Sequence, residues 1–215
     1  MMFETSRMRK LIKSVERLRK SAVRRLVETR IKEFKELGDS SSNEIFKELC
    51  FCILTANFNA KKSIEIQKKV DNGFLILSEY ELARKLRELG HRYPNNRARY
   101  IVEARKYKDS IKDVVQSFND EQKLREWLVK NIKGIGYKEA SHFLRNIGYL
   151  NFAIIDFHIV DLLVKNGLIK KPKTLTKKRY LEIEEILKNI ATELDITLGE
   201  LDLYLWYMET GEVLK

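Results

Sequence analysis

Residues 131–148 read NIKGIGYKEASHFLRNIG and place two glycines, Gly134 and Gly136, around one apolar residue. On both sides of the glycines, apolar residues recur at the spacing of an amphipathic helix. They are Leu124, Trp127 and Leu128 before the glycines, and Ala140, Phe143, Leu144 and Ile147 after them. The stretch therefore predicts two helices joined by a tight turn, as the central element of the fold.

The glycine turn has the properties of a phosphate-binding loop. Glycine permits positive φ angles and lets backbone N–H groups come close to an anion. At the N-terminus of a helix the helix dipole reinforces these donors, and Lys133 adds a positive charge beside them. A plain connection between two helices is the alternative. The flanking pattern and the basic composition favour DNA, held by its phosphates and not by its bases.

The whole chain is basic, with 42 Lys and Arg against 31 Asp and Glu in 215 residues and a formal net charge of +11. Such a protein is expected to bind a polyanion. The basic residues are spread along the chain instead of one helix face, which disfavours a membrane-surface role. No apolar run approaches the roughly 20 residues of a membrane span, and the N-terminus lacks the apolar region of a signal peptide. We expect a cytoplasmic protein.

The composition also bears on fold and cofactors. Two prolines, nine glycines and abundant helix-forming residues favour an all-α fold. Cys50 and Cys52 are too few for an iron–sulfur cluster, which needs about four thiolates, and we expect both to be buried and reduced. The three histidines show no metal-ligand spacing. We expect no metal and no cofactor.

The periodicity divides the chain into helices and turns. A basic amphipathic stretch covers residues 7–37, a turn covers residues 38–43 with Ser42 in the following helix opening, and a core helix covers residues 45–55. Further helices are predicted at residues 59–70, 78–89, 97–106, 108–117, 120–131, 156–165, 176–193 and 197–209, with Ser78 and Asp156 as caps. Residues 71–73 and 94–96 are predicted turns, and residues 149–155 an irregular link.

Lys138 and Asp156 turn the predicted hairpin into a candidate active site. Lys138 falls in the first turn of the second helix, where the helix dipole disfavours a cation. That field, together with burial, would leave part of its amine neutral for attack on C1′ of a deoxyribose. Asp156 follows 18 residues later, and its carboxylate could stabilise an oxocarbenium-like sugar and help to deprotonate the amine. A solvated lysine and an ordinary N-cap aspartate are the alternatives.

Ile132–Ala140, followed by Ile154-Ile155-Asp156, resembles the helix-hairpin-helix DNA glycosylase superfamily. The spacing from lysine to aspartate fits, although the glycine expected before the aspartate is represented only by Gly148. The absence of a four-cysteine cluster, the short length and the C-terminal segment Asp202–Met208 ending at Lys215 are similar to the second type of 8-oxoguanine DNA glycosylase, found mainly in archaea and some bacteria. The resemblance covers roughly residues 42–215.

The resemblance implies roles for individual residues. Lys138 would be the Schiff-base nucleophile with Asp156 as its partner, and the lysine implies an accompanying lyase activity. His158 would reach a phosphate, with a satisfied, partly buried histidine as the alternative. The other predicted DNA contacts are Lys133, Gly134, Gly136 and Tyr137 in the hairpin, Asn57 and Phe58 as wedge candidates at a helix end, and Arg97 and Arg99 at a helix opening.

The implied base pocket lies towards the C-terminus. The family uses the free carboxylate of its chain-terminal lysine in this pocket, which here is Lys215. Trp206 would be an aromatic wall, with core packing as the alternative. Asp202, Met208 and His142 are also assigned to base recognition.

These inferences combine into an all-α fold of two helical lobes with a helix-hairpin-helix motif and the active-site cleft between them. One lobe would contain residues 1–41 and 149–215, and the other residues 42–148. The expected protein is a monomeric, bifunctional glycosylase and lyase that acts on double-stranded DNA containing oxidised guanine and associates with the nucleoid. Two alternatives stay open, namely a same-fold enzyme for another lesion such as an oxidised pyrimidine, and a non-catalytic hairpin module that holds DNA.

Overall fold

The computed structural model describes the backbone of residues 2–215 and the side chains from Arg7 onward, and this part of the chain contains helices and no strands. The helices are α1 (Met2–Arg19), α2 (Val23–Asp39), α3 (Ser42–Thr55), α4 (Ala60–Val70), α5 (Gly73–Ile76), α6 (Glu79–Glu88), α7 (Pro94–Ala104), α8 (Ile111–Gln116), α9 (Glu121–Asn131), α10 (Tyr137–Asn146), α11 (Phe157–Lys165), α12 (Lys177–Leu194) and α13 (Leu198–Thr210). The all-α prediction is confirmed. Across these residues, no helix has the length and apolarity needed to cross a membrane.

Side-chain caps fix where several helices begin. Ser78 and Glu81 form a reciprocal capping box at the start of α6, in which each side chain bonds the backbone N–H of the other. Asp156 caps α11, because its Oδ1 accepts from the backbone N–H of Ile159 at 3.0 Å. Both predicted caps are confirmed.

The basic amphipathic stretch at residues 7–37 forms two helices, which are interrupted at residues 20–22. Two local predictions were wrong. Gly38 lies inside α2 and not in a turn, at a point where an added Cβ would sit 2.2 Å from the backbone oxygen of Ile147. Residues 94–96 are not a separate turn but the first turn of α7. Pro94 is tolerated there because it occupies the N1 position, where its missing N–H removes no helical bond.

The N-cap of α3 is Ser41, and its hydroxyl accepts from the backbone N–H of Glu44 at 3.4 Å, while Ser42 is the first residue of the helix. The short helix α5 was not predicted. Its four residues follow Asp71, whose positive φ of 42° ends α4.

The chain forms two compact units. The first unit comprises the residues up to Lys35 together with Gly148–Lys215, and the second comprises Glu36–Ile147. In the first unit, α1 packs against α12 and α13, and α11 packs against α13. In the second unit, α3 packs against α4, α5, α7, α8 and α10, and every α3 residue from Ile45 to Thr55 is buried. The predicted core helix is therefore confirmed.

Candidate active site

The turn between α9 and α10 places Lys138 in the first turn of α10. Gly134 adopts a φ of +83°, and an added Cβ would lie 2.4 Å from the ring of Tyr100 on α7. Gly136 has a φ of −100°, so the positive φ that the glycine turn was expected to use falls on Gly134. Gly134 is thus required both by its backbone conformation and by the close approach of Tyr100, a residue that the sequence pattern did not indicate.

The amine of Lys138 is paired with the neighbouring carboxylate. Its Nζ lies 3.1 Å from Oε1 of Glu139, and the two side chains are 27% and 12% exposed. The other oxygen of Glu139 accepts from the backbone N–H of Gly136 at 3.2 Å. Glu139 was not among the residues predicted for the site. An acidic residue at the third position of a helix was the available signal, because it commonly bonds back to the N-cap.

Lys133 and Tyr137 lie on either side of the glycine turn and differ in how accessible their side chains are. Lys133 is half exposed, with its Nζ 3.2 Å from Oε1 of Glu103. The hydroxyl of Tyr137 donates to Glu126, and its ring lies under the guanidinium of Arg125 at 5.1 Å. Lys133 is therefore open to a phosphate, whereas Tyr137 is held by the preceding helix.

Arg125 is fully buried and joins α9 to α10. Its Nη1 donates to Oγ of Ser141 at 3.1 Å, and its Nη2 donates to Oε1 of Gln122 at 2.6 Å. Buried arginines are costly unless they are well bonded, so these contacts fix the angle between the two hairpin helices. Nothing in the sequence pattern distinguished Arg125 from the exposed arginines.

Asn57 and Phe58 follow the end of α3. Asn57 is exposed and has a φ of +55°, which is uncommon for a residue other than glycine. The ring of Phe58 packs on His91 with the centroids 4.2 Å apart. Asn57 is accordingly the more accessible of the two wedge candidates, while Phe58 anchors the loop.

His91 supports this loop as a neutral ring. Its Nε2 donates to the backbone oxygen of Leu54 at 3.0 Å, and its Nδ1 accepts from the backbone N–H of Tyr93 at 3.0 Å. Only the neutral tautomer with a proton on Nε2 satisfies both bonds. Burial lowers the pKa of His91 below its ordinary value, which agrees with this assignment.

The two arginines of α7 differ in burial and in their partners. Arg97 is buried, its Nη2 donates to the backbone oxygen of Ala56 at 2.5 Å, and burial lowers the pKa of its guanidinium. Arg99 is 47% exposed and lies 3.9 Å from Glu103. Arg99 can reach a phosphate, whereas Arg97 holds the residue before Asn57.

In the first unit, side chains of α12 hold the segment that precedes Asp156. The hydroxyl of Tyr180 donates to the backbone oxygen of Ala153 at 2.6 Å and accepts from the N–H of Ile155 at 3.3 Å. Oε1 of Glu184 accepts from the N–H of Ala153 at 3.2 Å. These side chains satisfy the backbone of an irregular segment and so position the carboxylate that caps α11. Neither was among the predicted site residues.

His158 and Trp206 meet in an aromatic cluster. Their ring centroids are 5.1 Å apart in an edge-to-face arrangement, and the ring of Phe157 lies 3.9 Å from that of His158. Phe157 is 69% exposed, and Nε1 of Trp206 is buried without a hydrogen-bond partner in the described part of the chain. The structure thus joins two residues predicted for different roles, the phosphate contact and the base pocket.

The remaining base-pocket candidates are divided between the units. Asp202 is buried on α13, and Met208 and Lys215 are partly buried. His142 belongs to the hairpin unit, where it is buried on α10 with its ring 5.4 Å from that of Phe51 on α3.

The described residues include no group of three or more His, Cys, Asp or Glu side chains suited to a metal ion. Cys50 and Cys52 are buried thiols, as predicted, and burial raises the pKa of Cys50 well above its usual value.

The chain is similar to known proteins over nearly its whole length. Residues 27–196 match the family model described as 8-oxoguanine DNA glycosylase. A protein of Korarchaeum cryptofilum named 8-oxoguanine DNA glycosylase/AP lyase is 57% identical over 206 residues, covering 95% of this chain and 98% of the relative. A protein of the same name from Thermotoga maritima is 50% identical, covering 97% of this chain and 100% of the relative.

A solved structure agrees with the fold over nearly the whole chain. The crystal structure of Methanocaldococcus jannaschii 8-oxoguanine glycosylase/lyase in complex with a 15mer DNA containing 8-oxoguanine has a TM-score of 0.93 and 55% sequence identity. The match covers 96% of this chain and 100% of that one. Family model, relatives and fold point the same way: this chain belongs to the 8-oxoguanine DNA glycosylase family.

Proposed function

We propose that this chain removes 8-oxoguanine from duplex DNA and then cleaves the strand, acting as a bifunctional DNA glycosylase and AP lyase. The observation that carries the proposal is Lys138, whose amine lies in the first turn of α10 directly after the glycine turn. The glycine turn would bind a phosphate, and the lysine beside it would be the nucleophile. Relatives of this chain are named for the glycosylase and the AP lyase activity.

The damaged nucleotide has to leave the base stack, because C1′ is inaccessible inside a duplex. Contacts to the phosphates offset the few kcal/mol that extrusion costs. Lys133, Arg99 and the glycine turn are the proposed phosphate contacts, and His158 is a further one. Asn57 is the proposed wedge, since it is exposed at a loop that Arg97 and Phe58 hold.

In the reaction, the neutral amine of Lys138 attacks C1′, the Nζ–C1′ bond forms, and the bond from C1′ to the base breaks. The carboxylate of Asp156 stabilises the positive charge that develops on the sugar. The sugar ring then opens: the C1′–O4′ bond breaks, O4′ takes up a proton, and Nζ loses one, which leaves an imine between Nζ and C1′. The imine acidifies the C2′ proton, and loss of that proton breaks the bond to the 3′ phosphate by β-elimination.

Recognition of the lesion needs an acceptor near N7 of the base. An oxidised guanine carries a proton on N7, whereas guanine carries a lone pair there, so an acceptor favours the first and repels the second. We propose that Trp206, Asp202, Met208, His142 and Lys215 contribute to recognition of the lesion.

Borohydride trapping tests the proposal. Wild-type protein incubated with an 8-oxoguanine duplex and borohydride should form a covalent protein–DNA adduct, because borohydride reduces the imine. Lys138→Gln should bind the duplex and form no adduct. An adduct formed by Lys138→Gln would refute the assigned nucleophile.

A panel of duplexes separates the alternatives. Preferential trapping on oxidised pyrimidines would favour the same fold acting on another lesion. Salt-sensitive binding without incision on any duplex would favour a non-catalytic module. Light scattering of the complex with DNA tests the proposed monomer, which should give the mass of one chain and one duplex.

A further inference from the structure

The excess positive charge of the chain is concentrated near its N-terminus. Residues 7–35 contain 12 Lys and Arg against three Glu, a net charge of +9 in 29 residues. Residues 36–215 contain 30 Lys and Arg against 27 Asp and Glu, a net charge of +3 in 180 residues. Basic residues thus occur throughout the chain, but beyond residue 35 acidic residues nearly balance them.

Four exposed basic side chains share one face of α1. They are Arg9, Lys10, Lys13 and Arg17. Each residue advances an α-helix by about 100°, so these four positions lie within about 100° of one another around the helix axis. The apolar side chains on the opposite side of α1 are buried, and they are Leu11, Ile12 and Val15. We call the four exposed positions the basic face of α1.

We propose that the basic face of α1 binds the phosphates of duplex DNA and gives the first unit a surface that holds DNA without reading its sequence. Arg9 and Arg17 are eight residues apart, which corresponds to about 12 Å along the helix axis. One strand of B-DNA presents a phosphate about every 3.4 Å along the duplex axis, so about three phosphates fall within that length. None of the phosphate contacts proposed above lies on α1. The inference rests on the proposed function only in taking DNA as the polyanion.

The packing of α1 argues against an anionic membrane as the partner. A helix that binds at a membrane interface inserts its apolar side chains between the lipids. Those of α1 are buried, and the helix packs on α12 and α13, so its exposed face offers charge without an apolar surface to insert. Duplex DNA needs only the charge, because its phosphates are bound by Lys and Arg at the protein surface.

The neighbouring helix α2 is less suited to this role. Nε of Arg24 lies 2.7 Å from Oε1 of Glu28, and Arg30 pairs with Glu33. Part of the positive charge of α2 is therefore matched by its own carboxylates. From Arg7 to Arg19, α1 contains six basic residues and a single acidic one, Glu16. The proposal is accordingly made for α1.

The experiment measures how binding of the full chain to an undamaged duplex depends on salt, by fluorescence anisotropy. The test variant replaces the four residues of the basic face with Gln, which has a helix propensity similar to those of Lys and Arg. Its slope of log K against log salt concentration should become shallower by about 1.8 to 3.6, which corresponds to two to four lost phosphate contacts at about 0.9 each.

The control variant makes the same change in net charge at four exposed lysines that do not share a face. Its substitutions are Lys68→Gln, Lys123→Gln, Lys173→Gln and Lys188→Gln. The slope of the control should change by less than about 0.9. An equal change in both variants would overturn the inference, because net charge alone would then account for the binding. An unchanged slope in the test variant would overturn it as well.

Two further measurements keep the inference testable. If the fourfold variant is unfolded at the assay temperature in a thermal melt, Lys10→Gln combined with Lys13→Gln replaces it, and its slope should become shallower by about 0.9 to 1.8. Vesicles of phosphatidylserine and phosphatidylcholine should not bind the wild type. Vesicle binding that the variant loses while its duplex slope is unchanged would overturn the inference in favour of a lipid surface. Binding to undamaged DNA needs no catalysis, so a failure of borohydride trapping would contradict the proposed function and not this inference.

Discussion

The guanidinium of Arg97 donates to the backbone oxygen of Ala56 at 2.5 Å and so ties α7 to the residue that precedes exposed Asn57. A φ of +55° at Asn57 is a conformation that persists only where the surroundings enforce it. Arg97 on one side and the ring contact between Phe58 and His91 on the other supply that restraint. The loop that carries the proposed wedge is therefore held from within the unit.

Replacing Arg97 should loosen this loop. Arg97→Met leaves the Ala56 oxygen without its donor in a buried site, and we expect the free energy of unfolding to fall by about 1–3 kcal/mol. Urea unfolding measures this change. Arg99→Met is the matched control. Its exposed side chain should change stability by less than about 0.5 kcal/mol, and equal losses in both variants would contradict the distinction.

Stability should fall in mild acid because of His91. The folded-state pKa of His91 is lowered, so the unfolded chain takes up a proton near pH 6.5 while the folded ring stays neutral. The stabilising contribution is therefore complete above pH 6.5 and is lost as the pH falls towards the folded-state pKa. Protonation would also turn Nδ1 into a donor that faces the N–H of Tyr93.

The measurement is the free energy of unfolding at about pH 7 and about pH 5 in wild type and His91→Gln. The amide of glutamine can donate to Leu54 and accept from Tyr93 without titrating in this range. Wild type should lose more stability than the variant between the two conditions. Parallel losses would show that His91 does not carry the effect.

The two hairpin glycines should differ in their tolerance of a side chain. Gly134→Ala places a methyl group 2.4 Å from the Tyr100 ring at a φ of +83°, and we expect a loss of about 1–3 kcal/mol and weaker duplex binding. Gly136→Ala brings a methyl group 3.2 Å from Glu139 at an ordinary φ, so its loss of stability should be smaller. Adding Tyr100→Ala to Gly134→Ala should recover part of the stability, and no recovery would mean that φ alone accounts for the loss.

Lys133 should contribute one phosphate contact. In Lys133→Gln the slope of log K against log salt concentration should become shallower by about 0.9. Glu103→Gln removes the carboxylate that lies near both Lys133 and Arg99, so it should tighten duplex binding at low salt. Fluorescence anisotropy with an undamaged duplex measures both slopes. An unchanged slope in Lys133→Gln would remove this residue from the interface.

The features that could be predicted from the sequence are those set by neighbours along the chain. The apolar run of α3, the glycine turn before α10 and the cap at Asp156 each depend on a few consecutive residues. The pairing of Lys138 with Glu139 could not be predicted, because adjacent helical residues do not ordinarily face each other.

The other features that the sequence did not predict depend on residues that are far apart along the chain. Tyr180 and Glu184 support the segment before Asp156 from positions 25 to 31 residues away. From the sequence alone Arg97 could not be distinguished from an exposed arginine, because its burial depends on the end of α3, 41 residues earlier. Such contacts are created by tertiary packing, which composition and periodicity do not record.

The division of the first unit between both ends of the chain has a consequence for synthesis. The apolar side chains Leu11, Ile12 and Val15 of α1 are buried, and α1 packs on α12 and α13, which the ribosome makes much later than α1. The second unit is complete at Ile147, and α13 ends at Thr210, 63 residues later, so at about 5–20 residues per second the second unit can fold roughly 3 to 13 s before α1 receives its partners. During that interval the emerging N-terminal helices present an uncovered apolar stripe, which is the kind of segment that a chaperone binds.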